Sequence, residues 1–401
     1  NAKNMDILIF FVMQLTEVLK LNKNKNIHIL CIIAFLQGLV FYGPISTLFR
    51  QNRGLSLNDI FVIETVYVIL LFIFEIPWGY IADRIGYRWT LIISFFLFFL
   101  SKIVFYSAHS FDGFLFERII LALAISGISG CDSALIYTSV DEMDSNRAFS
   151  LYNASSAGGF LAASFLNSII VKYSMDLTAL LTIIPYGAAF FISFFLKDSS
   201  HHVESQRISL TDNIKVLKKN KNIIIFLISM ALISESTHSI CVYLNQPIYL
   251  RSSIDMKYFG FLTAFMQIAC LLSARAYKLN EKVGTKKLYI VLISMIIGAN
   301  IFLIYLKNGI LVVLMIFIIE GAFAVTQPLS NTIQNRSITV ANRATFLSSY
   351  AMVGDIIGSI SNLAVGKASD FSLNIAIGTC AGLNILALIL ILIFFRKKKN
   401  K

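Results

Sequence analysis

The stretch Gly79-Tyr-Ile-Ala-Asp83-Arg84-Ile-Gly86-Tyr-Arg88 decides the fold. It is a short charged turn between two apolar runs, residues 60–81 and 89–107. Each run is close to the ~20 residues a helix needs to cross a bilayer. Gly86 permits a tight reversal between them. Reading outward for further runs of this kind places spans at 27–49, 60–81, 89–107, 114–139, 148–171 and 177–196. A polar stretch follows, and then spans at 223–246, 258–279, 287–306, 310–330, 343–366 and 373–395. Twelve membrane helices are expected.

Composition agrees with that count. The chain has 401 residues, of which 57% are hydrophobic and 14% charged, against roughly a quarter charged in soluble domains. A soluble core cannot hide 34 phenylalanines together with that aliphatic content, so a soluble enzyme is excluded. The five cysteines each sit inside an apolar stretch without metal-ligand spacing, and read as buried small hydrophobes. No catalytic triad, P-loop or metal motif is present, so no catalytic residue, metal or cofactor is expected.

Charge placement orients the spans. With both ends on the cytoplasmic face, 24 Lys and Arg fall in cytoplasmic segments. Seven fall outside: Arg50, Arg53, Lys172, Arg251, Lys257, Lys307 and Lys367. This is a strong positive-inside bias, and the net charge of +12 therefore faces anionic membrane lipids rather than nucleic acid. The expected organisation is an N-terminal interfacial segment (1–26), a six-helix bundle (27–196), a cytoplasmic linker (197–222), a second bundle (223–396) and a basic tail (397–401). Residues Met5–Leu19 read as an amphipathic helix lying along the interface. Ile208, Leu210, Ile214, Val216 and Leu217 give the linker another, and His201 and His202 read as surface residues.

The two halves repeat. DRIGYR at 83–88 matches EKVGTK at 281–286, and RAFSLYNASSAGG at 147–159 aligns with RATFLSSYAMVGD at 343–355. The offsets, 198 and 196, are nearly equal. Parallel repeats of this kind underlie one class of secondary transporter, with the solute site near the midplane.

On these motifs the sequence resembles the major facilitator superfamily across its whole length. The stretch from Gly79 to Arg88 is similar to the family's signature loop between the second and third helices. That resemblance implies gating roles for Gly79, Asp83, Arg84, Gly86 and Arg88, and for Glu281 and Gly284 in the second copy. Arg118 resembles the fourth-helix arginine of drug/proton antiporters, although Leu121 and Ala122 stand where that motif favours Gln and Gly. The fifth span carries Gly158-Gly159 in place of the antiporter Gly-Pro. The segments Glu75-Ile-Pro77-Trp-Gly79 and Gly130-Cys-Asp132-Ser-Ala-Leu-Ile-Tyr137 look like a bacterial permease branch. The implied fold is all-α, with twelve helices in two pseudo-symmetric bundles.

Charges at bilayer depth are functional candidates by default. Six acids read as intramembrane: Glu64, Glu75, Asp132, Glu235, Glu320 and Asp355. Against them stand Lys102, Arg118, Arg275 and His238. Glu235 and His238 share a helix face at i,i+3. Glu75, Arg118, Asp132, Glu235, His238, Glu320 and Asp355 are the proton-coupling candidates. Gln37, Tyr42, Tyr137, Tyr152, Asn153, Tyr243, Gln246 and Gln267 are the polar candidates for a solute cavity, and Pro44 and Pro247 mark matched helix breaks near the outer ends of spans 1 and 7.

The acid surplus favours a cationic or zwitterionic solute. The expectation is a monomeric, multi-pass transporter of the bacterial plasma membrane with both termini cytoplasmic. It would export a small amphipathic compound against protons. The alternatives are proton-coupled uptake of a peptide-like or other nutrient, and a non-transporting sensor or lipid-handling protein.

Overall fold

The computed structural model describes residues 25–140, 144–197, 221–337 and 343–399. All regular structure among them is helical, as apolar runs in hydrocarbon require, because only an internally bonded backbone is tolerated there. The first six helices are α1 (Lys25–Asn52), α2 (Leu57–Ile85), α3 (Tyr87–Ser107), α4 (Phe111–Ser139), α5 (Ser145–Ile170) and α6 (Met175–Ser193). The second six are α7 (Asn222–Arg251), α8 (Met256–Val283), α9 (Thr285–Tyr305), α10 (Gly309–Arg336), α11 (Arg343–Phe371) and α12 (Leu373–Lys399). Ten are long and apolar enough to cross a membrane; α5 and α11, which carry the second repeat motif, are more polar. The interfacial helix expected at Met5–Leu19, the linker helix, and His201 and His202 lie outside the described residues.

The described residues form two compact units. Of the described residues, the first comprises 25–43, 70–108, 112–140 and 144–197; the second comprises 44–69, 109–111, 221–337 and 343–399. Within the first unit α1 packs on α5 and α6, and α3 on α6. Within the second, α7 packs on α11 and α12, and α9 on α12. The sequence repeat therefore returns as a repeat of helix pairings.

Small residues set the closest of these contacts. A Cβ on Gly159 would lie 2.1 Å from the carbonyl oxygen of Phe35, and one on Gly38 would lie 2.3 Å from that of Ser156. Hence α1 and α5 touch backbone to backbone, the geometry that small residues permit between membrane helices. At one end of the same unit Asn26 ties three elements. Its amide donates to Ser139 Oγ (3.2 Å) and to the carbonyl of Lys197 (3.0 Å), and its carbonyl accepts from Lys197 N–H (2.9 Å).

The repeat extends to backbone angles. Gly86, at the start of α3, has φ 84° and ψ 159°; Gly284, at the start of α9, has φ 82° and ψ 144°. Both fall where an L side chain is strained, so the sequence match at these two positions is a match of conformation. Gly86→Ala and Gly284→Ala are each expected to cost about 1–3 kcal/mol. Thermal unfolding in nanodiscs checks this, and similar losses at the two sites are the expected result.

Candidate functional site

Among the described residues α8 is interrupted by a 3₁₀ stretch at Leu271–Arg275, and three further helices depart from the regular α pattern where candidate residues gather. Helix α1 opens after Gly38 and resumes as Ser46–Asn52, with Pro44 in the intervening 3₁₀ turn. Helix α4 breaks between Ile128 and Cys131, where Gly130 has φ 83°. Helix α7 widens into a π-helix at Ser239–Leu244, just before Pro247. Such π-turns often mark functional sites. Not every proline breaks its helix: α2 runs through Pro77, and Glu75 beside it is exposed.

In the second unit, acids converge on the π-turn. His238 Nδ1 lies 3.7 Å from Glu235 Oε1, and its ring stands edge-on to Tyr243 at 5.2 Å. Glu64, Glu235 and Glu320 all act electrostatically on His238. Glu320 accepts a hydrogen bond from the Cys270 thiol at 3.6 Å and acts electrostatically on Cys241. Thiols are weak donors, which leaves this carboxylate poorly stabilised for a group at membrane depth. Glu235 faces Gly358 of α11, where an added Cβ would come within 3.0 Å of its oxygen. Asp355, one helical turn earlier on α11, is exposed.

Glu64 has a further partner. It is 5% exposed and forms an ion pair at 3.2 Å with Arg50, which is 1% exposed. Arg50 was expected in an external segment. It is instead inside α1, because the helix resumes after its break and runs to Asn52. A cation buried there requires a carboxylate.

The first unit holds a basic and aromatic cluster. Lys102 is buried, donates to the hydroxyl of Tyr42 (3.1 Å), and lies over the rings of Phe98 and Tyr186 at 4.8 and 5.0 Å. It is thus a cation held by ring faces. Nearby is an acid missing from the six read in the sequence, Glu117. Its side chain is fully buried, and neither oxygen has a hydrogen-bond partner. Its ion-pair contact is with the adjacent Arg118, 3.7 Å away, and it acts on Tyr186. The hydropathy of α4 masked it. Asp132 begins the second segment of α4, accepts from Ser133 N–H (2.6 Å), and is reached by the Tyr152 hydroxyl.

At the signature loop, Arg88 donates to the carbonyl of Phe194 at the end of α6 (3.1 Å), a favoured place for a cation. Arg84 stacks on Tyr80 (4.1 Å), and Asp83 acts on Tyr87 and Cys131. Gly79 is exposed, and in the second copy Glu281 bonds to Tyr277.

This loop, its second copy and the twelve helices agree with the comparisons. The model of the Major Facilitator Superfamily matches residues 29–362. The chain belongs to that superfamily.

A transporter of Buchnera aphidicola subsp. Schizaphis graminum is 26% identical over 178 residues, 43% of this chain and 44% of that one. An MFS-type transporter of Methanocaldococcus jannaschii is 21% identical over 273 residues, 65% of this chain and 69% of that one. The chain spans about half the length of the Buchnera relatives it matches. Among solved structures, the nucleoside transporter NupG aligns with TM-score 0.75 and 16% identity over 94% of this chain and 100% of that one. A D-xylose-proton symporter aligns at 0.71 and 16% over 92% and 97%. These structural likenesses show the superfamily fold. Ten apolar helices make the chain a multi-pass membrane protein of this superfamily, and the relatives it matches are named as transporters.

The polar residues expected to line a solute cavity of the transporter divide. Tyr42, Tyr243 and Gln246 are buried, with Tyr42 and Gln246 taken up by hydrogen bonds within the protein. The backbone carbonyl of Gln37 accepts from Tyr186. Tyr137, Asn153 and Gln267 are exposed, and Tyr152 is half-buried. Among the described residues no His, Cys, Asp and Glu group is arranged to hold a metal. Replacing Glu64 by Gln is expected to lower stability by about 3–5 kcal/mol, because Arg50 stays buried without its carboxylate. The double variant Arg50→Met/Glu64→Gln should recover much of that loss in thermal unfolding.

Proposed function

We propose that this superfamily member is a proton-coupled secondary transporter exporting a small amphipathic cationic or zwitterionic compound by alternating access. The observation that carries the reading is the convergence of Glu64, Glu235 and Glu320 on His238 at the π-turn of α7. A proton carrier needs an ionisable group whose surroundings change as the cavity opens and closes. His238 has a side chain 49% exposed, beside a Glu235 side chain that is 18% exposed. The pair is therefore reachable, while Glu320 accepts from a thiol. The same acids supply the negative field that attracts a cation.

Asp132, Asp355, Arg118 and Glu75 remain secondary candidates for coupling, and Glu117 joins them by its burial. The gating role of Asp83, Arg84 and Arg88 is supported by the bond of Arg88 to the end of α6 and by the action of Asp83 on Cys131 of α4. Export is supported by the resemblance of Arg118 to the antiporter arginine. The plasma membrane, both termini in the cytoplasm and contact with anionic lipids are supported by the positive-inside bias. A monomer is sufficient for this mechanism.

A second reading, proton-coupled uptake of a zwitterionic nutrient, is favoured by one observation: the first unit carries the buried cation Lys102 beside Glu117 and Arg118. Both signs of charge are thus present within the first unit itself.

Reconstitution in liposomes with a trapped pH dye tests both readings. An imposed pH gradient should drive movement of organic cations in the first and of zwitterions in the second. Flux indifferent to the gradient defeats both, and flux of anions alone defeats the charge argument. Glu235→Gln and Glu320→Gln should each reduce gradient-driven flux by about ten-fold or more, the scale of an ordinary coupling energy. Solute exchange without a gradient should survive in at least one of them. Unchanged coupling in both removes the π-turn from the mechanism.

A further inference from the structure

The break in α1 falls where the chain passes from one compact unit to the other, between Gly43 and Pro44. Before the break, α1 is anchored in the first unit. Phe41 N–H donates to Thr182 Oγ1 (3.0 Å), Asn167 donates to the Phe41 carbonyl (2.7 Å), and Lys102 donates to Tyr42. After the break, the chain is anchored in the second unit by the Arg50–Glu64 ion pair and, at the start of its helix, by one uncharged side chain. The carboxamide oxygen of Gln246 accepts from Thr47 N–H (2.9 Å) and from Leu48 N–H (3.0 Å).

Those two N–H groups lie in the first turn of the Ser46–Asn52 helix. The first N–H groups of a helix have no partner within it, and Ile45, at the N-cap, makes no side-chain cap bond. Gln246 therefore caps in trans a helix that does not cap itself. Its own position is fixed by the π-turn. Its N–H donates to Asn245 Oδ1 (2.8 Å), and its carboxamide nitrogen donates to the Val242 carbonyl (3.4 Å). The side chain is 2% exposed, so water does not share the bond.

We propose that Gln246 is a latch, a positioning residue that holds the outer segment of α1 on α7 by capping it, and whose release lets that segment move about Gly43–Pro44. This goes beyond the coupling proposal and needs neither a solute nor a proton gradient for its test. It also assigns Gln246 a role other than binding solute, since its acceptor oxygen is already shared by two donors.

The test uses Thr47→Cys as a reporter in the full chain in nanodiscs, labelled with a maleimide without solute. Thr47 is fully buried and its hydroxyl has no hydrogen-bond partner, so the thiol is a mild replacement. Labelling is read above that of the five native cysteines, measured in the parent. Adding Gln246→Leu, which keeps bulk but removes the acceptor, should raise the labelling rate roughly ten-fold, the scale of one lost buried acceptor serving two donors. Adding Gln246→Glu keeps an acceptor and should leave the rate at or below that of the reporter alone. If the leucine variant does not elute as a single folded species, Gln246→Asn, one methylene too short to reach, replaces it with the same expected rise. Equal labelling with and without the acceptor overturns the latch. A rise with Gln246→Glu equal to that with leucine also overturns it, because packing rather than capping would then explain the closure.

Discussion

Every backbone N–H and C=O at membrane depth must find a partner inside the protein, and the consequences of that rule organise this structure. Most of the chain obeys it by running as helix. Where α1 stops being helix, the debt passes to side chains. Thr182, Asn167 and Tyr186 serve the backbone of Phe41 and Gln37, and Gln246 serves Thr47 and Leu48. Many of the polar residues in these apolar helices therefore exist for the chain itself. The proposed site draws instead on polar groups that remain reachable, such as His238 beside the π-turn of α7.

Charge follows a parallel rule. A buried cation is tolerated beside a carboxylate or against aromatic faces, and the structure uses each solution once in clear form. Arg50 pairs with Glu64, and Lys102 sits among Phe98, Tyr186 and Tyr42. The acids are less completely compensated. Glu235 keeps one oxygen without a hydrogen bond, Glu117 keeps two, and Glu320 has a thiol as donor.

How much of this was legible in the amino-acid order depends on the range of the interaction. The span count follows from composition over ~20 residues and needs no tertiary information. The repeat was legible too, since Gly86 and Gly284 require the same backbone angles and no other residue supplies them cheaply. Glu235 with His238 was readable from i,i+3 spacing. Arg50 was not, because its burial depends on where a broken helix resumes and on a carboxylate from the next span. Nor were the bonds that Gln246 accepts, since their donors are 198 and 199 residues away. Glu117 was visible in the sequence but overlooked, being a lone acid next to an arginine in a run dominated by Ile, Leu and Ala.

Asn26 carries one more consequence. Its three hydrogen bonds join the entry of α1 to the exit of α6 and to the end of α4. The chain thus enters and leaves its first six helices at one point, closed by polar contacts rather than by covalent continuity. No residue of that closure lies beyond Lys197, so the first six helices carry their own clasp. A scission between Lys197 and Lys221 would leave that clasp whole.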